Sequence, residues 1–250
     1  MGILYRLARR LRLLLAGLWL SGGGAGTAAT LHITTENSPP YNMQQGELIV
    51  GSGTDKVRQL MARAGIDYRI ELLSWMRAYT LALHEADTCV YSTTRTPERE
   101  TLFKWVGPLT ATEWTLFGLG QRAFKLRDID DARLLKIGTY NGDVRDDYLR
   151  ARGFSVEAVQ NELSNPKKLL MNRIDLWATS KATGSAILAQ NGWGKRIVPV
   201  LTFRQVELYL ACNPALPDDL IRHMNAALEK MKLDGTAKNI DRKYDGNTAK

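Results

Sequence analysis

Histidine and cysteine are scarce in this chain, which has three histidines and two cysteines among 250 residues. His32, His84 and His223 stand far apart and lack the paired spacing of zinc ligands. The composition therefore predicts no metal site, and we expect no other cofactor.

The two cysteines, Cys89 and Cys212, both lie in apolar segments that resemble strands. They form one disulfide if the two strands are neighbours and the geometry permits it. Otherwise they are two buried thiols that behave as small hydrophobic side chains. The sequence leaves both possibilities open.

Long hydrophobic runs are also absent, since no segment reaches the roughly 20 apolar residues of a transmembrane helix. Residues 13–20 are apolar, a basic segment without acids precedes them, and small residues follow as far as Ala29. This order is typical of a secretory signal peptide. We expect residues 1–29 to be removed by cleavage near Ala29; an uncleaved anchor is the alternative.

The leader accounts for half of the excess of basic over acidic residues. The whole chain has 34 basic and 26 acidic residues, a formal net charge of +8. Without the four leader arginines the count is 30 against 26, or +4. So small and evenly spread a charge does not predict a nucleic-acid partner.

The rest of the chain alternates strand and helix patterns. The first set has predicted strands at residues 31–35, 68–73 and 88–92 with helices between them. Such alternation predicts parallel strands in an α/β sheet. Gly107-Pro108, within an extended segment at 105–109 that precedes another at 114–119, predicts a linker or crossover.

A second alternating set begins near Leu134, and two helices are predicted at the C-terminal end. Predicted strands lie at residues 135–139, 154–159, 174–178, 198–201 and 207–212. Asp143 is a candidate helix cap, as Thr54 or Asp55 is for the helix around Val57. We interpret the chain as two lobes, the first comprising residues 30–112 plus 208–250 and the second residues 113–207.

Hydroxyl and guanidinium groups are concentrated just after the third predicted strand. Ser92, Thr94 and Arg99 fall within eight residues of one another. Hydroxyls form adaptable hydrogen bonds, and guanidinium groups bind carboxylates through two parallel bonds. Ligands of open α/β sheets bind at the carboxyl ends of strands, so this loop is a candidate site. The alternative is a solvated turn in which Arg99 pairs with Glu98 or Glu100.

Several loose motifs follow one another in an order that is characteristic of one family. They are Pro39-Pro40-Tyr41, Gly46-Glu47-Leu48, Thr94-Arg95-Thr96-Pro97-Glu98-Arg99, Gly107-Pro108, Lys136-Ile137-Gly138-Thr139-Tyr140-Asn141-Gly142 and Asn172-Arg173-Ile174-Asp175. With them the chain resembles a divergent member of family 3 of the extracytoplasmic solute-binding proteins of ABC importers, which includes binders of polar amino acids.

The resemblance implies the type II periplasmic binding fold, in which two mixed sheets flanked by helices are joined by two crossover strands. It implies a periplasmic protein. We expect a binding protein rather than an enzyme, and we take a monomer as the default because the sequence does not show the oligomeric state. The protein would capture an amino acid or a related small carboxylate or amine for an ABC transporter permease in the inner membrane.

Site residues follow from the same resemblance. Arg99 matches the arginine that holds a ligand carboxylate, Ser92 and Thr94 match pocket hydroxyls, and Tyr41 matches an aromatic wall. Asp143, Val144 and Arg145 match a loop of the second lobe that also receives the carboxylate.

One departure concerns the acid that pairs with a ligand ammonium in amino-acid binders. Its position falls at Thr179 or Ser180, which are uncharged, so Ser180 is a polar candidate and Glu36 is the alternative carboxylate. A second departure, the segment from Ser74 to Ala78, adds Trp75 and Arg77 as candidates.

Two other functions remain on the same scaffold. One is a periplasmic dehydratase of the arogenate or prephenate type, with Glu36 or Asp143 as general acid. The other is a solute sensor that presents its closed form to a membrane receptor.

Overall fold

A computed structural model describes residues 30–245, so the predicted signal peptide lies outside the described residues. The strands are β1 (Leu31–Thr35), β2 (Met43–Gln45), β3 (Leu48–Val50), β4 (Tyr68–Leu72), β5 (Thr88–Thr94), β6 (Lys104–Leu119), β7 (Ile137–Tyr140), β8 (Val156–Val159), β9 (Leu176–Ser180) and β10 (Ile197–Cys212). The helices are α1 (Ser52–Ala64), α2 (Trp75–His84), α3 (Val144–Arg150), α4 (Ser164–Leu170), α5 (Lys181–Gln190), α6 (Asp218–Leu233) and α7 (Thr236–Asp245).

Eight strands form one mixed sheet in the order β4-β1-β5-β10-β6-β9-β7-β8, while β2 and β3 form a separate hairpin. β1 pairs in parallel with β4 and β5, and β7 pairs in parallel with β8 and β9. We call β1, β4 and β5 with α1, α2, α6 and α7 the first half, and β7 to β9 with α3 to α5 the second half. This is the expected α/β architecture, with two groups of parallel strands joined by two crossover strands.

The crossover strands β6 and β10 are 16 residues each and pair antiparallel along nearly their whole length. Four shorter predicted strands are therefore parts of two long ones. Of the two predicted alternatives, a linker and a crossover, Gly107-Pro108 has the second, because it lies inside the crossover strand β6. The proline is accommodated there because the pairing register with β10 shifts between Leu208 and Leu210, so no ladder donor is needed.

Each half has its own hydrophobic core. In the first half, α1 and α6 bury Leu60 and Met224 against the sheet. In the second half, Trp177 of β9 packs with Phe117, and Leu149 of α3 packs with Ile137. The methionine and leucine face of α6 is core, as its helical spacing predicts.

The structure differs from the prediction at the start of α1 and at α5. α1 begins at Ser52 after Gly51, two residues before Thr54, because Gly51 has a φ of 131° that only glycine adopts readily. The helix ends at Gly65, which has a left-handed φ of 61° that glycine adopts readily. α5 had no predicted counterpart, since its buried residues are mostly small and surround the helix instead of forming one stripe.

Cys89 and Cys212 form a disulfide between β5 and β10. The two residues are direct partners in the antiparallel pairing of these strands, with 4.0 Å between their Cα atoms. The bond is buried in the core of the first half. Of the two open possibilities, the structure has the disulfide.

The helices between residues 30 and 245 include none with the combined length and hydrophobicity needed to cross a bilayer. In the same range, no three histidine, cysteine or acidic side chains are grouped so that they could hold a metal ion.

Candidate functional site

A pocket of about 50 Å³ lies between the two halves, where loops at the strand ends of both halves meet β6 and β10. Its lining combines one guanidinium group, several hydroxyls and large aromatic rings. The lining residues are Glu36, Ser38, Tyr41, Trp75, Ser92, Thr94, Arg99, Thr112, Trp114, Asp143, Val144, Arg145, Ser180 and Leu208.

Arg99 lies in the short 3-10 turn that follows β5, and only 7% of its surface is exposed. Its guanidinium carbon is 4.9 Å from the ring centre of Tyr79 and 5.8 Å from that of Trp75. Its Nη2 atom also reaches the carbonyl oxygen of Gly142, in the other half, at 3.5 Å. The segment after β5 therefore forms a short 3-10 helix, and its Arg99 lines the pocket.

No ion pair to Arg99 is formed by any residue that the structure describes. Glu100, one of its expected surface partners, binds Arg95 instead, with 2.8 Å between Arg95 Nε and Glu100 Oε2. A buried cation without a carboxylate partner is unfavourable unless something else compensates its charge. Here the neighbouring rings supply part of that compensation.

The hydroxyl groups of the pocket are held by short hydrogen bonds. Ser92 Oγ donates to Asn42 Oδ1 at 2.6 Å, and Tyr41 donates to Thr112 Oγ1 at 2.8 Å. Ser92 has a φ of 61°, in the left-handed region, which turns the chain at the end of β5. These bonds fix the direction in which the hydroxyls face the pocket.

The second half contributes an acid and a base that are bound to each other. Asp143 caps α3 by accepting a 2.7 Å hydrogen bond from the backbone nitrogen of Arg145, and its carboxylate also binds the Arg145 guanidinium. The charge of Arg145 is thus already compensated. Of the two pocket arginines, Arg99 is the one without such a pair among the described residues.

Glu36 and Glu162 are partly buried carboxyl groups on opposite sides of the cleft. Burial, followed by the nearby carboxyls of Asp143 and Glu162, raises the pKa of Glu36 from 4.5 to about 8. Burial also raises the pKa of Glu162 to about 7, against the opposing effect of the Arg145 guanidinium. Trp177 Nε1 donates a 2.6 Å hydrogen bond to Glu162 Oε1.

Ser180 closes β9 and caps α5. Its Oγ accepts a hydrogen bond of 3.1 Å from the backbone nitrogen of Thr183 and donates to Thr183 Oγ1 at 2.7 Å. Thr183 Oγ1 is in turn 3.2 Å from Ser38 Oγ of the first half. The position where the resemblance places an acid is therefore a serine, and its hydrogen bonds hold Thr183, the residue that contacts the first half.

Nine of the ten residues predicted for the site line this pocket. They are Arg99, Thr94, Ser92, Tyr41, Glu36, Trp75, Asp143, Arg145 and Ser180. Arg77 is not among the lining residues. It is exposed on α2, because the buried face of that helix carries Trp75 and Ala78, and positions two apart on a helix do not share a face.

Sequence reasoning did not identify four residues of the cleft, three on the crossover strands and one in a loop of the second half. Thr112, Trp114 and Leu208 lie on the crossover strands, which are continuous through the region predicted as a lobe boundary. Glu162 lies in an irregular segment after β8. The one available signal for it was an acid placed just after a predicted strand.

The sequence model of the family described as bacterial extracellular solute-binding proteins, family 3, matches residues 31–247. No curated protein matches the sequence.

Solved structures resemble the fold at low sequence identity. A histidine kinase sensor domain with similarity to periplasmic binding proteins superposes with a TM-score of 0.80 and 16% identity, covering 86% of this chain and 96% of that one. An ancestral arginine-binding protein bound to arginine has a TM-score of 0.76 and 21% identity, with 86% and 97% covered. An ancestral amino acid-binding protein, a precursor of cyclohexadienyl dehydratase, has a TM-score of 0.73 and 18% identity, with 86% and 94% covered.

Proposed function

We propose, since this chain belongs to the bacterial extracellular solute-binding proteins of family 3, that it captures a small polar solute carrying a carboxylate. The solute binds in the cleft between two lobes, residues 30–112 with 208–250 and residues 113–207. The protein is exported to the periplasm and delivers the solute, as a monomer, to the permease of an ABC importer.

The observation that carries this proposal is the buried guanidinium of Arg99, which faces the pocket without an ion pair to any described residue. An anionic group in the pocket would compensate its charge. Each charge-assisted hydrogen bond of this kind contributes roughly 1.5–3 kcal/mol. Its planar fork suits a carboxylate, which accepts two parallel bonds.

The other lining groups suit a small polar molecule. Ser92, Thr94 and Ser180 offer hydroxyls, and Trp75 and Trp114 supply apolar walls that exclude water. Glu36 is the pocket-lining carboxyl that is not committed to an ion pair, because Asp143 binds Arg145. Glu36 is therefore our candidate for a ligand ammonium, whose positive charge would lower the raised pKa of Glu36 and favour the ionised carboxylate. Amino acids and amines thus stay among the possible solutes.

β6 and β10 are the connections about which the lobes would open and close. Closure of two lobes around a solute is a common way to present a liganded form to a partner. The energy for closure must come from contacts that exist only when the solute bridges both lobes. Arg99 on one side and the Asp143–Arg145 loop on the other provide such contacts.

The proposal is tested by thermal shift across a panel of amino acids, amines and small carboxylates, followed by calorimetry on each hit. For a carboxylate-bearing hit, Arg99→Ala should lower affinity by roughly tenfold or more. Arg95→Ala is the matched control, because Arg95 lies in the same loop and binds Glu100 at the surface. Unchanged affinity in Arg99→Ala would show that Arg99 does not bind the ligand carboxylate.

A sensor role is the second candidate, because a histidine kinase sensor domain has a TM-score of 0.80 to this chain. Both roles use the same cleft and differ in the membrane partner. Uptake of a confirmed ligand into vesicles that carry a permease, with and without this protein, separates them. Stimulation of uptake supports the importer role.

A dehydratase has one feature in its favour. Glu36, with its pKa raised to about 8, is protonated at neutral pH and could act as a general acid near Arg99. We nevertheless propose a binding protein, because the family is one of solute-binding proteins. Incubation of the purified protein with prephenate or arogenate should give no turnover, and turnover lost in Glu36→Gln would favour the enzyme.

A further inference from the structure

The methionines of residues 30–245 differ in their exposure to solvent. Three are fully buried in the core of the first half, namely Met61, Met224 and Met231. Met43 on β2 is partly exposed, whereas Met76 and Met171 expose 50% and 61% of their surface. An oxidant dissolved in water reaches the thioether of an exposed methionine, which it converts into a polar sulfoxide. Met76 and Met171 are therefore the most accessible sulfur atoms of the described chain.

Met76 differs from Met171 in what its sulfur touches. It is the second residue of α2 in the first half, and its Sδ atom lies against Gly142, in the turn before α3 of the second half. The approach is so close that a Cβ atom on Gly142 would overlap the sulfur. Met171 follows α4 within the second half and does not line the pocket. Met76 thus combines an exposed sulfur with a contact between the halves.

Gly142 is a point at which several groups of the first half meet the second. Its carbonyl oxygen is 3.5 Å from Nη2 of Arg99, and the indole ring of Trp75 packs beside it. A change at Met76 therefore acts on the spacing of the halves next to the pocket arginine.

The reaction that would alter this contact is oxidation of the Met76 thioether by hydrogen peroxide. A lone pair of the sulfur attacks one peroxide oxygen, the O–O bond breaks and an S–O bond forms. The sulfur loses two electrons, and the other oxygen leaves as water with both hydrogens of the peroxide. The product is larger and more polar than methionine, and methionine sulfoxide reductases convert it back.

We propose that Met76 is an oxidation site through which peroxide loosens the contact between the two halves. The added oxygen does not fit between the sulfur and Gly142, where the space does not admit a single carbon atom. Turned towards solvent, the sulfoxide oxygen forms hydrogen bonds with water, and burying it again is unfavourable. Both effects favour a wider separation of the halves. The proposal goes beyond solute capture, since it concerns this contact and not the identity of the solute.

Peroxide treatment of the exported, ligand-free protein tests the proposal. Peptide mass spectrometry measures the fraction of each methionine that has gained oxygen, and small-angle X-ray scattering measures the radius of gyration of the same sample. Met76 and Met171 should be oxidised before the three core methionines. The ratio of closed to open protein should fall roughly two- to tenfold, as expected for the loss of one half-exposed packing contact. The radius of gyration should therefore rise.

Two leucine variants, each compared with its own untreated sample, isolate the responsible sulfur. Met76→Leu has a similar volume and no thioether, so peroxide should leave its radius of gyration unchanged. Met171→Leu is the matched control, because it removes the other strongly exposed sulfur and should respond as the unmodified protein does. Treatment with sulfoxide reductases should restore the original radius, as irreversible damage would not.

The proposal is overturned if Met76 stays reduced while Met171 is oxidised, or if oxidised Met76 leaves the radius of gyration unchanged. An increase that persists in Met76→Leu, is lost in Met171→Leu or is not reversed by the reductases would overturn it as well. None of these measurements uses a ligand, so their failure is separate from a failure of the proposed function.

Discussion

The indole Nε1 of Trp75 donates a 2.8 Å hydrogen bond to the carbonyl oxygen of Gly142. Trp75 begins α2 in the first half, and Gly142 lies in the turn before α3 in the second half. The side chain of Met76 packs against the same glycine. Together these contacts form a clasp across the mouth of the pocket, and the 3.2 Å contact between Ser38 and Thr183 is a second connection between the halves.

The clasp predicts that Gly142→Ala favours an open cleft. A Cβ atom at Gly142 would overlap the Met76 sulfur, and the φ of 72° adds strain for any residue but glycine. The Met76 side chain is flexible and half exposed, so displacing it costs less than overpacking a core, about 0.5–1.5 kcal/mol, which corresponds to an affinity loss of roughly 2- to 12-fold. The radius of gyration from small-angle X-ray scattering should rise, and calorimetry should report weaker ligand binding.

Two further variants separate the overlap from the backbone strain. Gly192 has a φ of 70° and nothing within 4 Å of the position of a Cβ, so Gly192→Ala carries the strain alone. It should leave the cleft closed. Met76→Ala, added to Gly142→Ala, should restore part of the affinity. A Gly192→Ala variant as open as Gly142→Ala would show that the clasp is not responsible.

We expect the disulfide to contribute strongly to the stability of the fold and not to ligand affinity. Cys89 and Cys212 are 123 residues apart in the sequence, so the bond restricts a long loop in the unfolded chain. Replacing both by alanine should lower the free energy of unfolding by about 3–5 kcal/mol. Ligand affinity should not change, because neither cysteine lines the pocket. Equal melting temperatures with and without reductant would contradict the stabilising role.

The raised pKa of Glu36 predicts that the protein becomes less stable as the pH rises. Its folded-state pKa of about 8 lies above the ordinary value of 4.5, so the folded protein binds the proton more tightly than the unfolded chain. Its contribution to stability is therefore complete below about pH 4.5 and is lost as the pH rises towards 8. Glu36→Gln, which stays neutral, should match the unmodified protein at pH 5 and melt at a higher temperature at pH 8.

Glu98→Gln is the comparison for this pH series. Glu98 is exposed, and hydrogen bonding by the Thr96 side chain lowers its pKa, so it titrates below this window. Its melting-temperature difference from the unmodified protein should stay constant between pH 5 and 8. A constant difference for Glu36→Gln as well would contradict the assigned shift.

The buried side chain of Lys56 connects the C-terminal helix α7 to the crossover strand β6. We expect this connection to stabilise the fold. Lys56 Nζ donates to the carbonyl oxygen of Leu109 on β6 at 2.7 Å and to Asp241 on α7 at 2.8 Å. Asp241→Asn leaves the ammonium of Lys56 buried without its counter-charge. Because Asp241 is partly exposed and water can replace some of the interaction, we expect a loss of about 1–3 kcal/mol in denaturant unfolding.

Lys56→Met combined with Asp241→Asn should recover part of that loss, because the methionine fills a similar space without a charge. If the double variant is no more stable than Asp241→Asn, the uncompensated ammonium is not the cause of the loss.

The sequence by itself determined the α/β class, the family resemblance and most of the pocket. Alternating strand and helix patterns report local burial, and Arg99, Ser92 and Thr94 were identifiable because polar groups at a strand end are expected at a ligand site. These patterns are properties of short segments, so they can be identified from the amino-acid sequence alone.

Only the tertiary structure decided which groups meet across the cleft. The pairing of Asp143 with Arg145 leaves Arg99 as the pocket arginine that has no ion pair within residues 30–245. The closeness of Glu162 to Glu36 depends on two loops more than a hundred residues apart. The choice of disulfide over free thiols followed from the register of β5 with β10. Periodicity reflects each segment's own environment and carries no information on which distant segment lies opposite, because that is set by the path of the whole chain.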